Sequence, residues 1–140
     1  MTATHRRLTV GVFAALLLFA ALLYTAATAQ IAGAKSTAII HRAALSGSTT
    51  YPTVKGEAKW TKKDTQRELE VQIENAKKLK GKRLAVRIGG ALVGFMRVND
   101  LGRARLVRRT EAGQAVPTAI VGKAVKVRTA GGVLVASGRF

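Results

Sequence analysis

The stretch TVKGEAKWTKKDTQRELEVQIEN, residues 53–75, decides how the rest of the chain is read. In its second half Leu69, Val71 and Ile73 fall on one face and Glu68, Glu70, Gln72 and Glu74 on the other, the period of two that a half-buried strand requires. In its first half Val54, Gly56, Ala58 and Trp60 alternate with Lys55, Glu57 and Lys59. Folding the two halves together about the polar residues 62–66 sets lysines opposite glutamates on the outer face. Each such cross-strand pair contributes only about 0.2–1 kcal/mol, but all of them favour the same register. The acids concentrated here are therefore explained by strand pairing, without any need for chemistry.

Working outward, the same alternation recurs with turn residues about every ten positions, the pattern of a sandwich or barrel. Leu84, Val86 and Ile88 alternate up to Gly89-Gly90, a pair suited to the positive φ angles of a tight hairpin turn, and residues 92–98 return. Residues 99–102 make another turn into a strand at 103–110. The connection 111–123 carries Gly113, Pro117 and Gly122 and has room for a short edge strand around Val116. Residues 124–128 and 133–140 then flank a turn at 130–132, and residues 38–45 supply a strand at the front. No helix of ordinary length fits after residue 30; residues 75–82 allow one helical turn at most. The predicted fold is all-β: an antiparallel β-sandwich or partly open barrel of about eight strands, residues 37–140, behind a spacer at 30–36. Two overlapping hairpins of similar length stand out in it, although their residues match too thinly to establish a duplication.

Residues 1–29 read as an export signal. Arg6 and Arg7 precede an apolar run from Leu8 to Tyr24, and the small triplet Ala27-Thr28-Ala29 stands before Gln30, so cleavage is expected after Ala29. The run is 17 residues long, beyond the roughly 7–15 of a secretory signal. Extended through residue 29 it is long enough to cross about 30 Å of hydrocarbon, which makes an uncleaved anchor over residues 8–29 the alternative. The arginine pair also opens twin-arginine signals, but Thr9 and Val10 stand where that route has a more hydrophobic pair, and an ordinary secretory signal is the reading. The domain is thus expected outside the cytoplasm, in a periplasm, on a cell surface or in the medium. The chain has no cysteine, which excludes disulfides, thiol catalysis, cysteine-bound metal and a lipid-modified cysteine at the cleavage site.

The segments 81–106 (GKRLAVRIGGALVGFMRVNDLGRARL), 113–117 (GQAVP) and 131–140 (GGVLVASGRF) give residues 69–140 a resemblance to a loosely defined group of small exported bacterial β-sandwich proteins without an assigned activity. The resemblance implies an exported β fold and carries no catalytic residue with it.

The formal net charge is +17, and from Lys77 to the end fifteen Lys and Arg face only Asp100 and Glu111. Such a surface attracts polyanions. The candidate binding residues are Lys77, Lys78, Lys80, Lys82 and Arg83 in the densest run, then Arg103, Arg105, Arg108 and Arg109, then Lys126 and Arg128. Alternate residues of a strand share a face, so pairing of the strands around 103–110 and 124–128 would gather these into one patch. The ligands that fit are an acidic polysaccharide, a lipopolysaccharide or teichoic phosphate, or another polyanion. Nucleic acid is less favoured, because beyond the signal the only aromatic rings are Tyr51, Trp60, Phe95 and Phe140, and Trp60 lies on the apolar side of its strand.

An enzyme is not the expected reading. His41 is the only histidine beyond the signal, no nucleophile-elbow spacing surrounds Ser46 or Ser137, and Glu68, Glu70 and Glu74 share one solvated strand face. Neither glycine pair has the Lys-Ser/Thr sequel of a phosphate loop, and no cofactor or metal is expected. The alternatives are a membrane-anchored domain whose basic face lies against anionic head groups and, less favoured, an enzyme of unknown reaction.

Overall fold

The computed structural model describes residues 36–140. Eight strands form a single antiparallel sheet: β1 (Ile39–Gly47), β2 (Lys55–Lys63), β3 (Gln66–Glu74), β4 (Arg83–Ile88), β5 (Ala91–Arg97), β6 (Ala104–Arg109), β7 (Ala124–Thr129) and β8 (Leu134–Arg139). Their order across the sheet is β5-β4-β7-β8-β1-β2-β3-β6, and the sheet curls until its two edge strands approach, giving a nearly closed barrel. The barrel alternative of the sequence reading is the one observed.

The β2–β3 hairpin has the expected register, with Lys55 opposite Glu74, Ala58 opposite Val71 and Trp60 opposite Leu69. Its turn is tighter than expected. The strands run to Lys63 and from Gln66, leaving Asp64 and Thr65 at the tip, with Asp64 in the left-handed region at φ 54°. Inside the barrel, Leu69, Val71, Ile73, Leu84, Val86, Val125, Val127 and Val135 are sealed from solvent, and no polar side chain among the described residues is fully buried. One opening is plugged by Ala76 and Leu79, around a 3₁₀ turn at Lys77–Leu79. The other connection, after a 3₁₀ turn at Thr110–Ala112, buries Val116 and Ile120. Val116 therefore lies in no strand: it is a plug residue, and the Trp60 indole N–H holds its segment by donating to the Pro117 carbonyl at 2.9 Å.

Two hairpins, β4–β5 and β7–β8, are built alike and lie side by side through a β4–β7 ladder. Each opens with a buried plug residue, Leu79 or Ile120, whose carbonyl accepts from the N–H of Lys82 or Lys123. The Gly81 and Gly122 N–H groups donate to the Val98 and Phe140 carbonyls. Each hairpin has a β-bulge, beside Val86/Arg87 in one and Val127/Arg128 in the other. In each, an arginine returns to its own turn, Arg87 to the Gly90 carbonyl and Arg128 to the Gly132 carbonyl. Val86 and Val127 are matching residues and are also paired with each other, so a local two-fold axis passes between them.

The expected pairing of the strands around 103–110 and 124–128 does not occur. β6 pairs with β3, and β7 lies between β4 and β8. The acids of β3 explain why: Glu68 and Glu70 stand opposite Arg109 and Val107, within reach of Arg109 and Arg105.

Candidate functional site: an acid-free cationic wall

The barrel exterior divides into two electrostatically different halves. On the β2-β3-β6 side every glutamate is ion-paired, although Lys59, Lys62, Lys63, Arg67 and Arg108 there make no ion pair among the described residues. Arg105 pairs with Glu70 at 2.7 Å, Arg109 with Glu68, Lys55 with Glu74 at 3.4 Å, and Arg42 on β1 with Glu57. The hydrogen bond and charge of Glu70 hold the Arg105 guanidinium above its ordinary pKa. These glutamates thus face arginines of β6 as much as the lysines of β2.

The wall of β5, β4, β7 and β8 carries no acidic side chain at all. With Leu84, Val86, Ile88, Val125 and Val127 turned inward, Arg83, Arg87, Lys126 and Arg128 point outward, joined by Phe95 and Arg97 of β5 and Arg139 of β8. Register sets like charges directly opposite one another, Arg83 against Arg97 and Arg87 against Lys126. Such pairs are destabilising in a sheet.

Four of the arginines are held in place by uncharged partners. Arg87 donates to the Gly90 carbonyl at 2.9 Å, Arg128 to the Gly132 carbonyl at 2.6 Å and Arg139 to the Gly122 carbonyl at 2.9 Å. The guanidinium of Arg83 sits 3.8 Å above the Phe95 ring, itself 44% exposed. A guanidinium has five N–H donors, so one bond to a carbonyl orients it while leaving its charge and most donors available.

The predicted binding residues are therefore dispersed. Lys77, Lys78, Lys80 and Lys82 are exposed along the connection at one barrel end, where Lys80 meets Asp100 at 3.1 Å. Arg103, Arg105 and Arg109 lie on the acid-bearing side. Arg108 is half-buried and shares the inner face of Leu106, and it reaches across the unpaired β5–β6 seam toward Gly94, where an added Cβ would lie 2.8 Å from its Nη2. Only Arg83, Lys126 and Arg128 belong to the acid-free wall. The sequence reading did not include Arg87, Arg97, Lys123 or Arg139. Alternation with Leu84 and Val86 places Arg87 beside Arg83, but nothing in the local pattern places β4 next to β7.

His41 packs its ring 5.8 Å from that of Trp60, and among the described residues no group of acids or histidines is arranged to hold a metal. No known protein family, curated protein or solved structure was found to match the chain.

Proposed function

We propose that this chain is a non-enzymatic exported module of the cell envelope or extracellular space, and that its acid-free wall binds an anionic polymer. The observation that carries the reading is the unneutralised wall: like charges opposed in register, with arginines oriented by carbonyls and a ring. Natural sheets more often offset such repulsion with a neighbouring carboxylate, and the other half of this barrel does so. An anionic polymer laid across the wall would supply the missing counter-charge and release its own counterions.

The test is a salt titration of the full chain, held in neutral detergent, against acidic polysaccharide, lipopolysaccharide and duplex DNA. Binding to at least one should persist at about 0.15 M salt. Changing Arg87, Lys126 and Arg128 together to Ser should weaken it about tenfold or more and flatten the log–log salt dependence. The reading fails if all binding disappears at that salt, or if the triple variant binds as well as the parent chain.

A second reading is favoured by the length of the apolar run 8–29. Retained as an anchor, it would hold the basic wall near anionic head groups, each adjacent Lys or Arg adding about 1 kcal/mol. Recovery of only the unprocessed chain, in the membrane fraction, is the outcome that would distinguish this reading.

A further inference from the structure

Beside the wall lies a groove of about 690 Å³, between the outer faces of β2, β3 and β6 and the 99–102 turn. Arg97 belongs to both features: it stands on the outer face of β5 at the edge of the wall, and it lines the groove. The volume falls within the roughly 300–1,000 Å³ typical of small-molecule sites and is far larger than a simple anion needs. Eight of its eleven lining residues carry a charge or a carboxamide, which suits a hydrophilic occupant.

Its polar groups divide into committed and free. Glu57 is paired with Arg42, Glu74 with Lys55 and Arg105 with Glu70. Arg97, Arg103 and Gln72 have no side-chain hydrogen bond or ion pair among the described residues, and all three are exposed to the groove. Asn99 accepts from the N–H groups of Leu101 and Arg103, at 3.0 and 2.9 Å, through its Oδ1. That fixes its side chain by the oxygen and leaves the amide NH₂ to donate.

The free set is thus two guanidinium forks and two carboxamides. A guanidinium matches a carboxylate with two parallel bonds, and carboxamides exchange bonds with hydroxyls. Gly56 stands at the floor of this region, where a Cβ would lie 2.1 Å from the Gln72 carbonyl oxygen; the close approach of β2 and β3 there depends on its having no side chain.

We propose that the groove binds an acidic sugar, a hydroxylated ring bearing a carboxylate, as one unit of the polymer lying on the wall. The inference rests on the polymer reading of the wall and narrows it to an acidic polysaccharide. Arg97 and Arg103 take the carboxylate, Gln72 and Asn99 take ring hydroxyls, and Arg97 links the groove to the wall.

The experiment compares polygalacturonate with polyglutamate of similar length, a carboxylate polymer without hydroxyls, on the full chain in neutral detergent at about 0.15 M salt. Polygalacturonate should bind about tenfold more tightly or better, the worth of a few added hydrogen bonds. Gln72→Ser combined with Arg103→Ser should remove that preference, weakening polygalacturonate far more than polyglutamate. Arg87→Ser with Lys126→Ser should weaken both polymers together and keep the preference. All four positions are exposed, and an unchanged denaturation midpoint will show that the variants fold. Equal affinity for the two polymers, or a preference that survives in the groove variant, overturns the groove inference alone. Binding of neither polymer overturns the saccharide choice; binding of neither together with none to lipopolysaccharide or duplex DNA overturns the wall reading with it. Tighter binding of duplex DNA than of polygalacturonate also overturns the choice of a saccharide.

Discussion

Gly56 and Gly94 show how one missing side chain can matter for different reasons. At Gly56 the atoms that a Cβ would meet are backbone, the Gln72 oxygen at 2.1 Å and the Ile73 Cα at 3.0 Å, and they cannot move without breaking the β2–β3 ladder. At Gly94 the nearest atom is the far end of the flexible Arg108 side chain, at 2.8 Å. Gly56→Ala should therefore cost at least the upper part of the roughly 1–3 kcal/mol typical of overpacking, and Gly94→Ala less than about 1 kcal/mol. Urea midpoints of the two variants provide the comparison, and similar losses would contradict it. Trp60→Phe keeps most of the buried ring but removes the donor to Pro117, so about 1–3 kcal/mol should be lost. The loss should come with faster amide exchange in residues 113–123. That Trp60 is buried was legible from its place among Val54, Gly56 and Ala58; that its N–H ties down a plug 57 residues away was not.

The β2–β3 hairpin was legible in its pairing and its faces, because alternation, charge complementarity and a polar turn agree, although the strands run further into the turn, to Lys63 and from Gln66, than the polar residues 62–66 suggested. Other elements were legible in kind but not in neighbour. Alternation tells which face of β6 or β7 is buried, but not which strand lies beside it, since a ladder bond is the same whatever side chains flank it. The segment around Val116 failed for a related reason: one apolar residue near a proline reads equally as an edge strand or as a plug. The β4–β5 turn is a case where local chemistry does suffice, with Gly89 at φ 57° and Gly90 at φ 88°. Gly89→Asn should be neutral or stabilising by about 0.4–1 kcal/mol, because Asn tolerates that conformation and loses less entropy on folding. Gly90→Ala should destabilise. If thermal melts ranked these two variants in the opposite order, the turn would have another shape.

Across the described residues the strand glutamates all lie on β2 and β3, while the β5-β4-β7-β8 wall carries cations and no acid. The acidic cluster is visible in residues 57–74, but the make-up of the wall depends on strand order and was hidden in the linear chain. One consequence is a stability that rises with salt. Screening should relieve repulsion along the wall more than it weakens the exposed pairs of β2-β3-β6, which are individually worth little. Raising sodium chloride from about 0.02 to 0.2 M should raise Tm by roughly 4–8 °C if about 1 kcal/mol is recovered. A flat or falling Tm would mean that the ion pairs dominate. The two-fold axis between Val86 and Val127 has a different kind of consequence. It relates Arg87 to Arg128, Arg97 to Arg139 and Lys82 to Lys123, so six of the cations come as three matched pairs. A linear polymer has a head and a tail; the three matched pairs look the same after half a rotation, whereas Arg83, stacked on Phe95, and Lys126 have Ala124 and Ala85 at their related positions and break the symmetry. On the proposed reading, the matched cations could seize a polymer in either direction, and Arg83, Lys126 and the off-axis groove would sense its polarity.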